Sequence, residues 1–262
     1  ARGALADDLN RRFGTNYTAD NFYLTAGAAG ALCCALSALS CPGDTFITFA
    51  PYFPEYQVFV SCNGGKFVEV APDTESFQIN AAALDRALTP HTQAVIINSP
   101  NNPSGVIYSE ATLRELASLL ERRSAEFGHP IYIIADEPYR ELVYDNAVVP
   151  FIPSIYRDTV VCYSYSKSLS MPGERIGYVC IPDTVTDSAL LFAAVAGASR
   201  VPGQCKIPAA VLTLAHFYVL SDALTNVKIY EFEHIRCVQN LCKIFIVYKF
   251  IGCSQWQKFI QQ

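Results

Sequence analysis

The sequence predicts an α/β domain with a mainly parallel sheet that is buried on both faces. Three observations predict it. Short apolar runs alternate with longer segments of helical periodicity, which is the order found in βαβ units. The runs are almost continuously apolar, as in strands that are covered on both faces. Turn residues and polar side chains follow several runs directly, and open α/β sheets bind ligands beyond the carboxyl ends of their strands.

Seven apolar runs are interpreted as strands, with helices between them. The predicted strands cover residues 21–26, 45–50, 66–71, 94–98, 131–136, 159–164 and 175–181. The predicted helices cover residues 28–39, 54–62, 80–88 and 109–128. In the last of these, Ser109 is expected to cap the N-terminus, and leucines at helical spacing form one apolar face. From about Ala189 the pattern is only helical, and residues 209–220 form a run that is too short to span a bilayer.

The bulk composition excludes several classes of protein. The chain has 262 residues, of which 51% are apolar and 16% charged, as in a globular protein with a sizeable core. Its net charge of −5 favours neither nucleic acid nor an anionic membrane as a partner. Residues 1–14 contain acids and no apolar segment, so they do not resemble a secretory signal. We therefore expect a cytoplasmic protein.

The ten cysteines are interpreted as reduced thiols rather than as metal ligands. No C-x-x-C spacing occurs, and most of the cysteines lie within apolar strand or helix patterns. The best candidate for a metal group is His234, Cys237 and Cys242, loosely on one helical face. Packing of small apolar side chains explains this group more simply, so no metal is expected.

An anion site is expected where the first and sixth strands end. The turn "GAAGAL" (27–32) opens a helix after the first strand, so the N–H groups near Ala28 and Ala29 are available to a phosphate. Ser164 ends the sixth strand, and Ser166 follows it. Arg175 begins the next strand and can bind the same anion through two N–H groups.

Other strand ends carry groups that suit a planar cofactor ring. Phe53, in "PYFPEY", offers an aromatic face for stacking. Asp136 ends the fifth strand, and its carboxylate can keep a pyridinium nitrogen protonated. Asn102 and Tyr139 can donate to a ring oxygen. Lys167 can form a Schiff base with an aldehyde. Pyridoxal phosphate is the cofactor that uses all of these groups together.

Each residue taken alone has a simpler interpretation. The Gly-Ala helix start can be a tight turn, and "SPNNPSG" (99–105) consists of turn residues. Phe53 can be a core residue, Asp136 a helix cap and Lys167 a surface lysine. The cofactor interpretation rests on their joint occurrence at the ends of five strands of one predicted sheet.

Three motifs carry a resemblance to a known family. "NSPNNPSG" (98–105), "ADEPYREL" (135–142) and "SYSKSLSMPGERIGY" (164–178) follow one another in the order of the class I/II aminotransferases. These are fold-type I pyridoxal phosphate enzymes similar to aspartate aminotransferase. The resemblance implies a three-layer large domain with a mainly parallel, mixed sheet over residues 1–222. Residues 223–262 would be a partial, divergent start of the small domain.

The resemblance also implies a role for each candidate residue. Lys167 would be the Schiff-base lysine and proton carrier, and Asp136 would pair with the pyridine nitrogen. Phe53 stands where a tryptophan or tyrosine is often found, but it keeps an aromatic face. The residues that would contact the ring or the phosphate are Ala28, Ala29, Phe53, Asn102, Tyr139, Ser164 and Arg175.

The same resemblance predicts that the chain is incomplete. Family members have an N-terminal arm before the position where this chain begins, and a small domain with an arginine for the substrate carboxylate. Arg236 lies too early to be that arginine. After Glu233 the sequence has no acidic residue, and its only tryptophan, Trp256, lies there. A frameshifted or truncated gene end and an ordinary divergent end both fit this segment.

The expected function is transfer of an amino group between an amino acid and a 2-oxo acid, in a family whose full-length members are homodimers. Two alternatives stay open. One is other pyridoxal phosphate chemistry on the same scaffold, such as C–S lyase or 1-aminocyclopropane-1-carboxylate formation, because a fold does not select a reaction. The other is a non-catalytic remnant. The sequence does not identify the substrate.

Overall fold

The structure, a computed structural model, describes residues 1–73 and 75–200. Several predictions fall outside these residues and stay predictions: the helix at 209–220, the group His234, Cys237 and Cys242, the acid-free segment, and the domain boundary between residues 222 and 223. Within the described ranges, no helix is long and apolar enough to cross a membrane.

Seven strands form one mixed sheet, as the sequence predicts. They are Phe22–Ala26 (β1), Thr45–Phe49 (β2), Lys66–Val70 (β3), Thr92–Asn98 (β4), Tyr132–Asp136 (β5), Thr159–Ser164 (β6) and Ile176–Cys180 (β7). Their order across the sheet is β1-β7-β6-β5-β4-β2-β3. The pairs from β3 to β6 are parallel, while β7 is antiparallel to both of its neighbours. The predicted, mainly parallel sheet is therefore confirmed.

The predicted helices are present with small shifts at their ends. The α-helices are Arg2–Phe13 (α1), Gly27–Leu39 (α2), Glu55–Cys62 (α3), Ala81–Ala87 (α4), Glu110–Phe127 (α5), Tyr165–Ser168 (α6) and Ser188–Ala198 (α7). Two 3₁₀ helices cover Ala19–Asn21 and Ile152–Ser154. The Ser109 hydroxyl accepts a hydrogen bond from the Thr112 backbone N–H at 3.1 Å, which confirms the predicted N-cap.

Two apolar clusters cover the two faces of the sheet and produce three layers. Alternate residues of β4 belong to different clusters: Val95 packs with residues of α1 and α5, whereas Ile96 packs with residues of α2 and α3. Successive side chains of a strand point to opposite faces, so both sets of side chains in a central strand are buried, and in β4 Gln93 is the residue that is only half-buried. This explains why the strands are continuous apolar runs instead of alternating patterns.

The reversed direction of β7 decides which residues share an edge of the sheet. Asn98 and Asp136 are register partners at the carboxyl ends of β4 and β5. Ser164, at the carboxyl end of β6, pairs with Gly177, near the start of β7. Because β7 runs opposite to β6, Arg175, which directly precedes β7, lies at the same edge where β6 ends. The polar groups singled out in the sequence thus lie along one edge.

Candidate active site

Asp136 is a buried carboxylate at the end of β5 with one of its two oxygens bonded. Only 4% of the residue is exposed. Its Oδ2 accepts a 2.5 Å hydrogen bond from the Tyr56 hydroxyl, at the start of α3. Its Oδ1 has no hydrogen-bond partner among the described residues. A buried polar atom without a partner is costly, so this oxygen is suited to a donor from a ligand.

The protonation of Asp136 reflects opposing effects. Burial raises the pKa of Asp136 to about 7, and the neighbouring Glu137 carboxylate adds to the rise. The hydrogen bond from Tyr56 opposes it by stabilising the ionised form. The charge of Glu137 is paired at 2.6 Å with Arg140, which is also buried. A carboxylate with these surroundings is poised to ionise when a cation is placed against it.

Lys167 lies in the short helix α6, directly after β6. Its side chain is exposed, and its Nζ lies 5.8 Å from the centroid of the Tyr139 ring. The Ser164 hydroxyl caps α6 by accepting a hydrogen bond from the Ser166 backbone N–H at 3.1 Å. The buried Tyr165 ring packs edge-on against Tyr163, with centroids 5.1 Å apart. The backbone that carries Lys167 is therefore held at the N-terminal end of α6, while its amine stays accessible.

Arg175 faces the start of α2 across the edge of the sheet. Its Nη2 lies 3.4 Å from the Ala26 carbonyl oxygen, and its Nη1 lies 3.5 Å from the Ser166 hydroxyl. Helix α2 begins at Gly27 without a side-chain cap, so its first N–H groups have no capping acceptor. Guanidinium, hydroxyl and helix N–H groups are all donors, and together they make a candidate anion site, called the anion site below.

Gly27 and Gly177 allow the backbones at the anion site to approach closely. A Cβ on Gly27, whose φ is +75°, would lie 2.7 Å from Arg175 Nη2. A Cβ on Gly177 would lie 2.4 Å from the Tyr163 carbonyl oxygen and 2.6 Å from the Gly27 carbonyl carbon. Distances below 3 Å leave no room for a side chain, so the glycines permit α2, β6 and β7 to meet here.

Asn98 joins the loop after β4 to the end of β5. Its side-chain amide donates to the Asp136 backbone carbonyl at 2.8 Å, and its side-chain oxygen accepts from the Asn102 backbone N–H at 2.6 Å. Phe53 is half-buried and packs edge-on against Tyr56, with ring centroids 5.6 Å apart. Asn102 and Phe53 are thereby tied to the surroundings of Asp136 through Asn98 and Tyr56.

The structure brings the predicted site residues to one edge of the sheet, but it leaves their predicted roles as predictions. Ala28 and Ala29 lie in the first turn of α2, and Ser164 ends β6. Their shared contact with a phosphate is not tested. A hydrogen bond from Asn102 or Tyr139 to an oxygen of the cofactor ring is also untested, and so is stacking of that ring on Phe53.

Sequence reasoning missed Tyr56 and Gly177. A signal for each was present. Tyr56 follows Phe53 by three residues, which is nearly one helical turn, so the two rings share a face of α3 and its preceding turn. Gly177 is an isolated glycine within an apolar strand, which often marks a close approach of backbones. The partner of each could not be found in the sequence, because both contacts join distant segments.

Comparison with known proteins is consistent with this geometry. The family model "Aminotransferase class I and II" matches residues 1–251. A probable aspartate/prephenate aminotransferase from Thermus aquaticus is 36% identical over 187 residues, which is 70% of this chain and 47% of the relative. The chain thus spans about half the length of the curated relatives it matches.

Solved structures of aminotransferases share the fold. The crystal structure of an aminotransferase from Eubacterium rectale has a TM-score of 0.80 and 55% identity, and the match covers 84% of this chain and 54% of that one. Aspartate aminotransferase from Thermus thermophilus with maleate has a TM-score of 0.70 and 30% identity, covering 86% of this chain and 55% of that one. From the family match and the shared fold, we conclude that the chain belongs to the class I and II aminotransferases.

Proposed function

We propose that this chain binds pyridoxal 5′-phosphate at the edge of the sheet and serves a transamination between an amino acid and a 2-oxo acid. The observation that carries the proposal is the buried Asp136 carboxylate, whose Oδ2 is bonded to Tyr56 while Oδ1 lacks a partner. A protonated pyridine nitrogen supplies one N–H donor and one positive charge, which are what this oxygen requires. The residues present therefore fit the cofactor.

The cofactor, when bound, supplies an electron sink for the carbon next to the amino group. The protein's own residues have simpler tasks. Asp136 would hold the ring nitrogen in its protonated form. Lys167 would carry the covalent attachment through Nζ and would take and return a proton at the same atom. These two tasks require an accessible amine and a fixed carboxylate, in agreement with the exposure of Lys167 and the burial of Asp136.

The anion site would bind the phosphate of the cofactor. Arg175 supplies a guanidinium, Ser164 and Ser166 supply hydroxyls, and Ala28 and Ala29 supply backbone N–H groups from the first turn of α2. Phe53 would stack on the ring, and Asn102 and Tyr139 would donate to the ring oxygen. The cofactor would then be held at its phosphate, at its nitrogen and at its aldehyde carbon.

The substrates, the oligomeric state and the location are part of the same proposal. Two of the three proteins named above are aspartate or aspartate/prephenate aminotransferases, so acidic amino acids are the first substrates to test. A homodimer is proposed for full-length family members rather than for this chain alone, and the cysteine pattern supports a cytoplasmic location. Neither a nucleic acid nor a membrane is expected as a partner.

The test has two stages. The purified full chain is mixed with pyridoxal phosphate, and the absorbance of the lysine-bound cofactor is followed. Glutamate, aspartate and alanine are then added in turn, and conversion to pyridoxamine phosphate and the 2-oxo acid is measured by chromatography. Lys167→Ala serves as the control for both stages. Absence of cofactor binding by the folded wild-type chain would refute the proposal, and binding without conversion of any amino acid would favour the non-catalytic remnant.

A further inference from the structure

Tyr56 contacts the carboxylate of the proposed cofactor site, and its function is not yet explained. It lies in the first turn of α3 and is completely buried. Its hydroxyl donates the 2.5 Å hydrogen bond to Asp136 Oδ2, across 80 positions of sequence. Burial, followed by the Asp136 charge, raises the pKa of Tyr56 well above its ordinary value. The phenol therefore stays protonated at neutral pH, and it remains a hydrogen-bond donor there.

The hydrogen bond makes the two oxygens of Asp136 inequivalent. Oδ2 is occupied by Tyr56, so the carboxylate cannot turn this oxygen toward a ligand without breaking a buried bond. Oδ1, which has no hydrogen-bond partner among the described residues, is left as the acceptor available to a ligand. A ligand donor thus meets an acceptor of fixed position, which lowers the entropy cost of forming the contact.

The same bond opposes the tendency of Asp136 to become neutral. Four ionisable groups interact with this carboxylate: Tyr56 from α3, Glu137 beside it, Tyr139 from the following turn and Cys162 from β6. Burial raises the pKa of both Tyr139 and Cys162, so both stay uncharged, and Glu137 disfavours a second negative charge. Among these groups, Tyr56 is the one that stabilises the ionised carboxylate through a hydrogen bond.

We propose that Tyr56 is a positioning residue that acts through Asp136. Its hydroxyl holds Oδ2, so that Oδ1 is presented as an anion to the pyridine nitrogen of the cofactor. This inference rests on the proposed function, because it assigns Tyr56 to the same cofactor. It predicts that the loss of one hydroxyl group weakens cofactor binding although that hydroxyl never touches the cofactor.

The test uses Tyr56→Phe with Tyr156→Phe as the matched control. Tyr156 is also buried, and its hydroxyl donates to the Ile131 carbonyl oxygen at 2.7 Å and interacts with the Ser124 side chain. Both variants lose a buried hydroxyl, but only Tyr56 touches Asp136. Circular dichroism and thermal unfolding establish that each variant is folded before any other measurement.

The first measurement requires no cofactor. Carbon NMR follows the titration of the Asp136 carboxyl in the full chain, with its signal assigned by its absence in Asp136→Asn. Tyr56→Phe should raise the titration midpoint by about one pH unit or more, because the hydrogen bond to the ionised form is lost. Tyr156→Phe should leave the midpoint unchanged. An unchanged midpoint in Tyr56→Phe would overturn the inference.

The second measurement is the affinity for pyridoxal phosphate in a double-mutant cycle. Tyr56→Phe should lower the affinity roughly tenfold or more, as expected for losing a hydrogen bond to a charged group. In the Asp136→Asn background, the same substitution should cause little further loss, because Tyr56 acts through the carboxylate. Equal losses in both backgrounds would show that Tyr56 acts independently of Asp136 and would contradict the inference.

Failure of the inference is distinguishable from failure of the proposed function. If the wild-type chain binds no pyridoxal phosphate, the proposed function fails, and the role of Tyr56 toward that cofactor fails with it. If the wild type and Tyr56→Phe bind it equally well, only the inference fails. If Tyr56→Phe does not fold, Tyr56→His, which keeps a ring N–H donor, provides the test. It should hold the Asp136 midpoint at or below the wild-type value, and a rise would contradict the inference.

Discussion

Gly177 lies so close to Gly27 that a Cβ on Gly177 would be 2.6 Å from the Gly27 carbonyl carbon. These two glycines belong to β7 and to the start of α2, and their contact places Arg175 beside the first turn of the helix. The arrangement of the anion site therefore depends on two positions that carry no side chain. A methyl on Gly177 would meet backbone atoms of Tyr163 and Gly27, so backbone rather than a flexible side chain would have to move to admit it.

Gly177→Ala should destabilise the chain and disrupt the anion site. The added methyl would overlap backbone atoms of Tyr163 and Gly27, and overpacking of this kind costs about 1–3 kcal/mol or more. Gly173→Ala is the control, since a Cβ there has no atom within 4 Å. Chemical denaturation measures the free energy of unfolding of both variants. Equal stability of the two variants would show that the close approach is not a real constraint.

Lys167 should be the residue that pyridoxal phosphate modifies. Borohydride reduction of the chain mixed with the cofactor, followed by peptide mapping, should place the label in the segment from Tyr163 to Val179. Lys66 is a useful internal control, because it is also exposed but begins β3 at the opposite end of the parallel strands. Labelling of Lys66 to the same extent would indicate nonspecific modification of surface amines.

Arg175→Ala should weaken binding of pyridoxal phosphate but not binding of pyridoxal, which has no phosphate. The lost charge-assisted hydrogen bond is worth about 1.5–3 kcal/mol, or roughly 10- to 150-fold in affinity. Arg157→Ala is the control: Arg157 is exposed and donates to the Thr184 carbonyl oxygen at 2.8 Å. Equal effects of Arg175→Ala on both ligands would contradict the assignment of Arg175 to the phosphate.

Stability of the cofactor-free chain should fall as the pH rises from 5 to 7. The pKa of Asp136 is raised to about 7, above the value of an unfolded aspartate, so the folded state retains a proton that the unfolded state has released. Folding is then favoured at low pH, and about 1.4 kcal/mol is lost for each pH unit between the two pKa values. Above pH 7 this contribution no longer changes.

Urea denaturation at several pH values checks this prediction against Asp136→Asn. Asparagine has the same shape as aspartate but no proton to release. The stability of the Asp136→Asn variant should therefore depend less on pH between 5 and 7. Glu137, whose pKa burial also raises, is present in both proteins and cancels in the comparison. Parallel pH profiles for the two proteins would show that Asp136 does not titrate as the structure indicates.

Local pattern was sufficient to predict most of the elements. The seven strands were found because buried strands are continuous apolar runs, and α5 was found because Ser109 and the leucines supply a cap and an apolar stripe. The local sequence pattern of a strand does not indicate whether the strand runs parallel or antiparallel to its neighbours. The antiparallel orientation of β7 depends on how the chain folds back after α6, which is only four residues long.

The candidate site was predictable to the extent that its residues follow strand ends. Lys167 and Asp136 were found in this way, because parallel strands bring their carboxyl ends to one edge. The hydrogen bond between Tyr56 and Asp136 was not predicted. It joins residues 80 positions apart and depends on the placement of α3 over the sheet. The sequence thus indicated the groups at the strand ends better than the groups that support them.

The antiparallel strand β7 also makes the number of residues between Lys167 and Arg175 important. Both residues lie in the single connection from β6 to β7, whose ends are tied together by the pairing of Ser164 with Gly177. Under the proposed function, one of them would anchor the aldehyde end of the cofactor and the other its phosphate end, so the length of the connection sets the distance between the two anchors. An insertion or deletion within residues 165–175 would separate or crowd the two anchors even if every side chain were kept. Engineering of this segment should therefore exchange residues without changing its length.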